Sequence, residues 1–128
     1  MSRFSEVRAF EAGEALDRKL LVKLSGATVV LCTATATDDP IGVNEVNVVS
    51  GGDAAIGLLC PDETQEMTAA GVFAVGDDVF LAADGKVSAL PTAHATYRRV
   101  GKALEAATAD GDIVEILPYN DGKTVTVS

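Results

Sequence analysis

The stretch that decides the fold is LVKLSGATVVLCTATATDDPIGVNEVNVVSGGDAAIGLL, residues 21–59, read beside FLAADGKVSALPTAHATYRRVGKALEAATADGDIVEILP, residues 80–118. At a constant offset of 59 the second lies on the first without a gap. Gly26 meets Gly85. Leu31, Thr33, Ala34, Ala36 and Thr37 meet Leu90, Thr92, Ala93, Ala95 and Thr96. Gly42 meets Gly101, Gly52-Asp53 meets Gly111-Asp112, and Leu58 meets Leu117. Ten of 39 positions agree, against roughly 4 expected from composition, which is the mark of an internal repeat. The matched residues are turn formers and small apolar side chains. None is a nucleophile, an acid–base pair or a metal ligand, so the repeat preserves a shape and not a reaction centre.

Within each copy the pattern is short strands divided by Gly and Asp turns. Leu20–Leu24 and Thr28–Thr33 flank Ser25-Gly26 as a hairpin, because β-branched and apolar runs on either side of a glycine turn pair locally. Asp84-Gly85 is a hairpin signal of the same kind. Ala54–Cys60, Ile113–Leu117 and Thr124–Val127 read as further strands. Turns every eight to twelve residues predict an all-β fold, a small sandwich or barrel. Glu6–Lys23 and Lys102–Ala109 carry enough helix-forming residues to allow one or two short helices. Residues 1–12 are read as an N-terminal arm and 13–128 as a single β-rich domain. In the arm Phe4, Val7 and Phe10 recur every three residues. That spacing suits one face of a short helix or an extended arm pinned into a partner, the plain alternative being a segment that packs on its own domain or frays.

Composition narrows the function. The chain has 128 residues, is 48% hydrophobic but only 5% aromatic, and has no Trp. Its apolar mass is Ala, Val and Leu, which bury little area each. At ~25 cal/mol per Å² such a core is thin, and self-association or docking would reinforce it. The formal charge is −9, which disfavours a nucleic-acid role because phosphates attract Lys and Arg. Residues 1–30 contain no secretory leader pattern and no apolar run approaches a membrane span. The expectation is a protein made in the cytoplasm, or for a particle assembled there, with Cys32 and Cys60 as buried, reduced thiols and a disulfide between them as the alternative that reducing conditions disfavour.

Chemistry is sparse. Gly122-Lys123-Thr124 imitates the end of a phosphate loop, but Leu117 stands where the first Gly is needed and a strand follows in place of a helix. His94 is the single histidine and has no G-x-S-x-G nucleophile to serve. Two cysteines and one histidine do not make a zinc site. The acids Asp38-Asp39, Asp62-Glu63, Asp77-Asp78, Asp110 and Asp112 sit at turns, where Asp bonds its own backbone. No catalytic, cofactor or metal residue is assigned, and the chain is read as a non-enzyme. Tyr97-Arg98-Arg99 is the densest basic spot, and its Arg98-Arg99 replace Asp39-Pro40 in the repeat. It is a candidate interface, with an ordinary charged loop as the plain alternative.

The order and spacing of several segments resemble the small bacteriophage capsid-decoration proteins, also called capsid cement or head-stabilising proteins. The similar stretches are Gly13–Leu16 with Val22–Leu24, Ile41–Val43, Ala69–Val72, Gly76–Val79 and Ala83–Val87. Val100–Ala106 and Gly111–Ile116 complete the set. The resemblance spans about residues 12–117, and each motif alone is only a turn with a strand. It implies a structural virion protein on the capsid exterior, assembled in the bacterial host cytoplasm. Such a protein would form a homotrimer at three-fold and quasi-three-fold positions and bind the major capsid protein, with no nucleic acid, membrane or cofactor partner. Arg3, Phe4, Val7, Arg8 and Phe10 are then the candidate capsid-binding side chains. The rival readings are another minor virion component, of the head-completion or tail type, and a small ligand- or carbohydrate-binding β-barrel. The latter is weakened by the presence of only Tyr97 and Tyr119 as tyrosines for stacking.

Overall fold

Alternating buried and exposed residues, punctuated by glycine turns, build strands throughout the computed structural model, which describes residues 7–59, 63–119 and 122–128. Cys60 and residues 1–6 lie outside that set. The strands are β1 (Val7–Ala12), β2 (Leu21–Ser25), β3 (Thr28–Leu31), β4 (Gly42–Asn44), β5 (Asp53–Leu58) and β6 (Gln65–Thr68). They continue as β7 (Asp78–Leu81), β8 (Val87–Ser88), β9 (Ala95–Ala103), β10 (Ile113–Pro118) and β11 (Thr124–Val127).

The first five close a barrel in the order β1-β3-β2-β4-β5, and the second sheet runs β6-β10-β9-β7-β8 with β11 added to β9. In the first barrel β1 lies parallel to β3 through Ala12 and Val29. In the second, the parallel bridge between Ala69 and Val87 joins β6 to β8 in the same way. The all-β expectation therefore holds, as two copies of one small barrel.

The two halves repeat hydrogen bond for hydrogen bond. Ala12 N–H donates to Gly52 O and Gly51 N–H to Ala12 O; Ala69 N–H donates to Asp112 O and Gly111 N–H to Ala69 O. Leu16 and Val48 exchange a pair of backbone bonds, and so do Phe73 and Ala107. Leu59 N–H donates to Ile41 O, and Tyr119 N–H to Val100 O. These pairs set the correspondence at 57 residues for β1/β6 and β2/β7, 58 for β3/β8, 59 for β4/β9 and 60 for β5/β10. The constant offset of 59 thus aligns β4 with β9 and slips by one or two elsewhere. The cause is one extra residue in each of three successive loops of the second copy. The repeat also reaches further than 21–59 and 80–118, to Val7–Leu59 and Thr64–Tyr119.

Burial follows the correspondence. Ala12/Ala69, Leu16/Phe73, Val22/Val79, Val29/Val87, Ala54/Val114 and Ile56/Ile116 fill the two interiors, each 4% exposed or less. Gly42 and Gly101 hold matching places on β4 and β9. A Cβ at either would overlap the carbonyl oxygen of the facing strand, Gly57 or Leu117, and crowd Ile56 or Ile116.

Two stretches that allowed helix are not helical. Val7–Ala12 is β1 and pairs with β5 from Val7–Gly57 to Glu11–Asp53. Lys102–Ala109 contains the end of β9 and the Ala107–Phe73 bridge, whose cross-strand bonds satisfy the backbone groups a helix would have paired. Among the described residues the helical turn is Ala83–Gly85, inside the β7–β8 hairpin, with Asp84 left-handed at φ 66°. No helix among them is long and apolar enough to cross a membrane.

Candidate interaction surfaces

The barrels join through one flank of the first. Leu21, Cys32, Val43 and Leu59 belong to the same buried cluster as Leu81 and the interior of the second barrel, and not to the interior of their own. Gly85 lets the chains approach here, since a Cβ would stand 2.8 Å from Leu21 O. Polar ties surround this seam. Lys19 O accepts from Thr68 N–H at 3.0 Å and from Thr68 Oγ1 at 2.9 Å. Gln65 Nε2 donates to Leu58 O at 3.2 Å. Lys19 Nζ lies 2.6 Å from Glu45 Oε1 and 3.5 Å from Glu66 Oε1. Val7, Lys19, Glu45, Thr64, Gln65 and Glu66 line a cleft of about 210 Å³ at the junction.

The basic triplet divides among different tasks. Tyr97 is 7% exposed, and its hydroxyl donates to Ala93 O at 3.0 Å. Arg98 Nη2 sits 2.8 Å from Asp39 Oδ1, and Arg98 N–H donates to Thr35 O at 2.9 Å, so Arg98 ties the second barrel to the first. Arg99 is half-buried. Its guanidinium lies 4.5 Å from the Tyr119 ring centre and 3.7 Å from Asp78 Oδ2, and Lys102 Nζ is 3.3 Å from Asp78 Oδ1. Strand pairing explains the division: β11 covers Ala95–Arg98, while the rest of β9 faces β7 and β10.

Of the proposed arm, Arg3 and Phe4 fall outside the described residues. Val7, at 52% exposure, opens β1, and the Arg8 guanidinium rests 5.1 Å from the Phe10 ring centre. Exposed Val49, Val72 and Val75 lie in loops beyond the Leu16–Val48 and Phe73–Ala107 bridges, a set that the repeat did not bring to notice.

The electrostatics are structural. Burial drives the Cys32 thiol up to about 12. Burial also works against the Asp38 carboxylate. Hydrogen bonds from Lys23 Nζ and from the Ala34 and Thr33 N–H groups outweigh it and hold Asp38 below the usual carboxylate range. Asp112 is lowered by the Thr108 N–H, then by the Thr108 hydroxyl and the Ala109 N–H, as befits a turn acid. His94 is exposed. Among the described residues no three His, Cys, Asp or Glu side chains gather as a metal site. The described surfaces offer packing and ion pairing.

A family model for the phage cement protein matches residues 9–118. The fold is similar to that of the head fiber gp8.5 N base in bacteriophage phi29, with a TM-score of 0.70 and 18% sequence identity. That match covers 89% of this chain and 93% of the other. No curated protein matches the sequence. The chain belongs to the phage cement protein family, whose members are structural proteins associated with the phage capsid.

Proposed function

From membership of the phage cement family, we propose that this chain assembles as a trimer on the outer surface of a capsid. There it clamps neighbouring major capsid protein subunits against the pressure of packaged DNA. The observation that carries the oligomer is the double barrel itself. Two similar barrels joined head to tail, three chains around an axis, give a ring of six similar lobes suited to a three-fold or quasi-three-fold position. Three chains engage three places at once, so modest contacts per chain combine into slow release. Of the five candidate side chains Arg3, Phe4, Val7, Arg8 and Phe10, the first three are the proposed capsid contact, since a few apolar and Arg side chains concentrate binding energy. Arg8 and Phe10 are engaged with each other on β1.

The test mixes purified protein with bare expanded heads and images them. Three chains clustered on the outside at three-fold positions are the expected result. Heads that stay bare at saturating protein would refute the reading. Density confined to a single vertex or to the tail would assign the chain to a minor virion component.

A further inference from the structure

Equivalent positions in the two barrels are unequally buried. Met67 and Leu81 are 0% exposed and Gln65 8%. Their counterparts in the first barrel are Phe10, Leu24 and Arg8. Leu24 is 51% exposed, Phe10 half-buried and Arg8 exposed. The reason is the seam: the flank of the first barrel carrying Leu21, Cys32, Val43 and Leu59 covers that end of the second. Among the described residues nothing covers the matching end of the first barrel, rimmed by Phe10, Leu24 and the Gly26-Ala27 turn.

The covering flank has its own counterpart. Leu21 pairs with Val43 across β2 and β4, as Asp78 pairs with Lys102 across β7 and β9. Leu59 matches Tyr119 through their bonds to Ile41 O and Val100 O. The second barrel therefore presents Asp78, Lys102 and Tyr119, with Arg99 among them, where the first presents Leu21, Val43 and Leu59.

We propose that the open end of the first barrel receives the Asp78–Arg99–Lys102–Tyr119 face of a second copy, repeating between chains the contact that joins the barrels within one. The occupant is a second copy because that face is the structural counterpart of the one already seated on this kind of end. The proposal rests on the trimer reading above and supplies its interface. A head-to-tail contact leaves one open end and one face per chain, which is the requirement for a closed ring. Gln65 reaches Leu58 O within the chain; Arg8, in the corresponding place, would reach Pro118 O of the second copy. The intramolecular seam is apolar and the new face is polar. The contact between chains is accordingly the weaker of the two, and the free chain stays folded. Arg99, stacked on Tyr119 and paired with Asp78, is held in place in advance, and Arg and Tyr are the side chains that most often anchor interfaces.

Two full-length variants test this: Leu24→Asp at the open end and Arg99→Glu on the face, both checked for native melting. Ala27→Arg, at the exposed hairpin tip, replaces Leu24→Asp if that variant fails to fold. In sedimentation each variant alone should lose the oligomer. An equimolar mixture should form a dimer and stop there, since the intact end of one variant still takes the intact face of the other. Oligomers that survive both substitutions overturn the interface and leave the trimer reading standing. A wild-type chain that is monomeric in solution moves the same comparison onto capsids, where each variant should lose clustered density. Clusters that persist there overturn the interface alone, and a wild type that neither assembles nor coats heads overturns both readings.

Discussion

Lys19 occupies in the first barrel the place that Gly76 occupies in the second, and both are left-handed, at φ 65° and 90°. Their N–H groups donate to the matching carbonyls of Asn44 and Ala103. Glycine adopts this backbone freely, whereas a side chain costs about 1 kcal/mol or more there. Lys19 stays because its ammonium bridges Glu45 and Glu66 while its carbonyl accepts from Thr68 across the seam. Lys19→Ala and Lys19→Gly both remove the bridge, but only glycine relieves the backbone. Lys19→Gly should be the more stable of the two by about 1 kcal/mol in denaturant titrations. The reverse order would show that the left-handed turn is not a source of strain.

Gly42 and Gly101 should respond alike to one methyl group. In each case the obstacle is the backbone carbonyl of the next strand, which cannot turn aside as a side chain would. Gly42→Ala and Gly101→Ala should each cost about 1–3 kcal/mol through overpacking. Thermal melts of the two variants measure it. A harmless substitution at either site would break the equivalence of the barrels at their tightest strand contact.

Much of this architecture was legible in the residues themselves. The Gly26 turn lies between β2 and β3, and Asp84-Gly85 lies within the β7–β8 hairpin. Residues 54–58, 113–117 and 124–127 are strand as expected. The start of the repeat was hidden. Phe4, Val7 and Phe10 suggest a three-residue period, yet Phe10 and Ala12, two apart, pack toward the first core. Single-residue insertions in three loops also blurred the alignment, so Ala12/Ala69 and Ile56/Ile116 never met. The interaction surface was less legible still. Asp78, Lys102 and Tyr119 are ordinary polar residues in sequence, and they stand out only when β7, β9 and β10 are superposed on β2, β4 and β5.

The N-terminal segment can be separated from β1 by truncation. Val7–Phe10 pair with Ala54–Gly57, so they form a wall of the first barrel. Removing residues 2–10 should unfold that barrel and say nothing about the capsid. Removing residues 2–6 should leave the melting curve and the oligomer intact and abolish coating of expanded heads. Normal coating by the shorter truncation would refute the assignment of Arg3 and Phe4.

Cys32 reports on the seam. It is fully buried, and its thiol is held at about 12. The reactive thiolate is therefore almost absent at neutral pH. In a Cys60→Ser background, labelling by a thiol reagent at pH 8 should be negligible until denaturant is added, and its rate should then follow opening of the structure. Rapid labelling under native conditions would mean that the barrels separate readily and that the flank of Leu21 and Val43 is not permanently covered.

Asp38 links acid stability to the loop that carries Asp39 and its bond to Arg98. Its carboxylate accepts from Thr33 N–H at 2.7 Å, Ala34 N–H at 2.8 Å and Lys23 Nζ at 2.7 Å. Because these bonds lower its pKa on folding, the stabilisation is complete above the unfolded value of about 3.9 and is lost as pH falls through the folded one. Lys23, raised by the same pair, keeps its proton until alkaline pH, so the bridge stays intact across the neutral range. Asp38→Ala strands two backbone donors and should cost about 2 kcal/mol at pH 7. Asp38→Asn, which retains an acceptor, should cost less. Chemical denaturation at pH 7 and again near pH 3 provides the check: the gap between wild type and Asp38→Ala should narrow in acid as the wild-type carboxylate protonates. A gap of equal size at both pH values would show that Asp38 acts through packing alone.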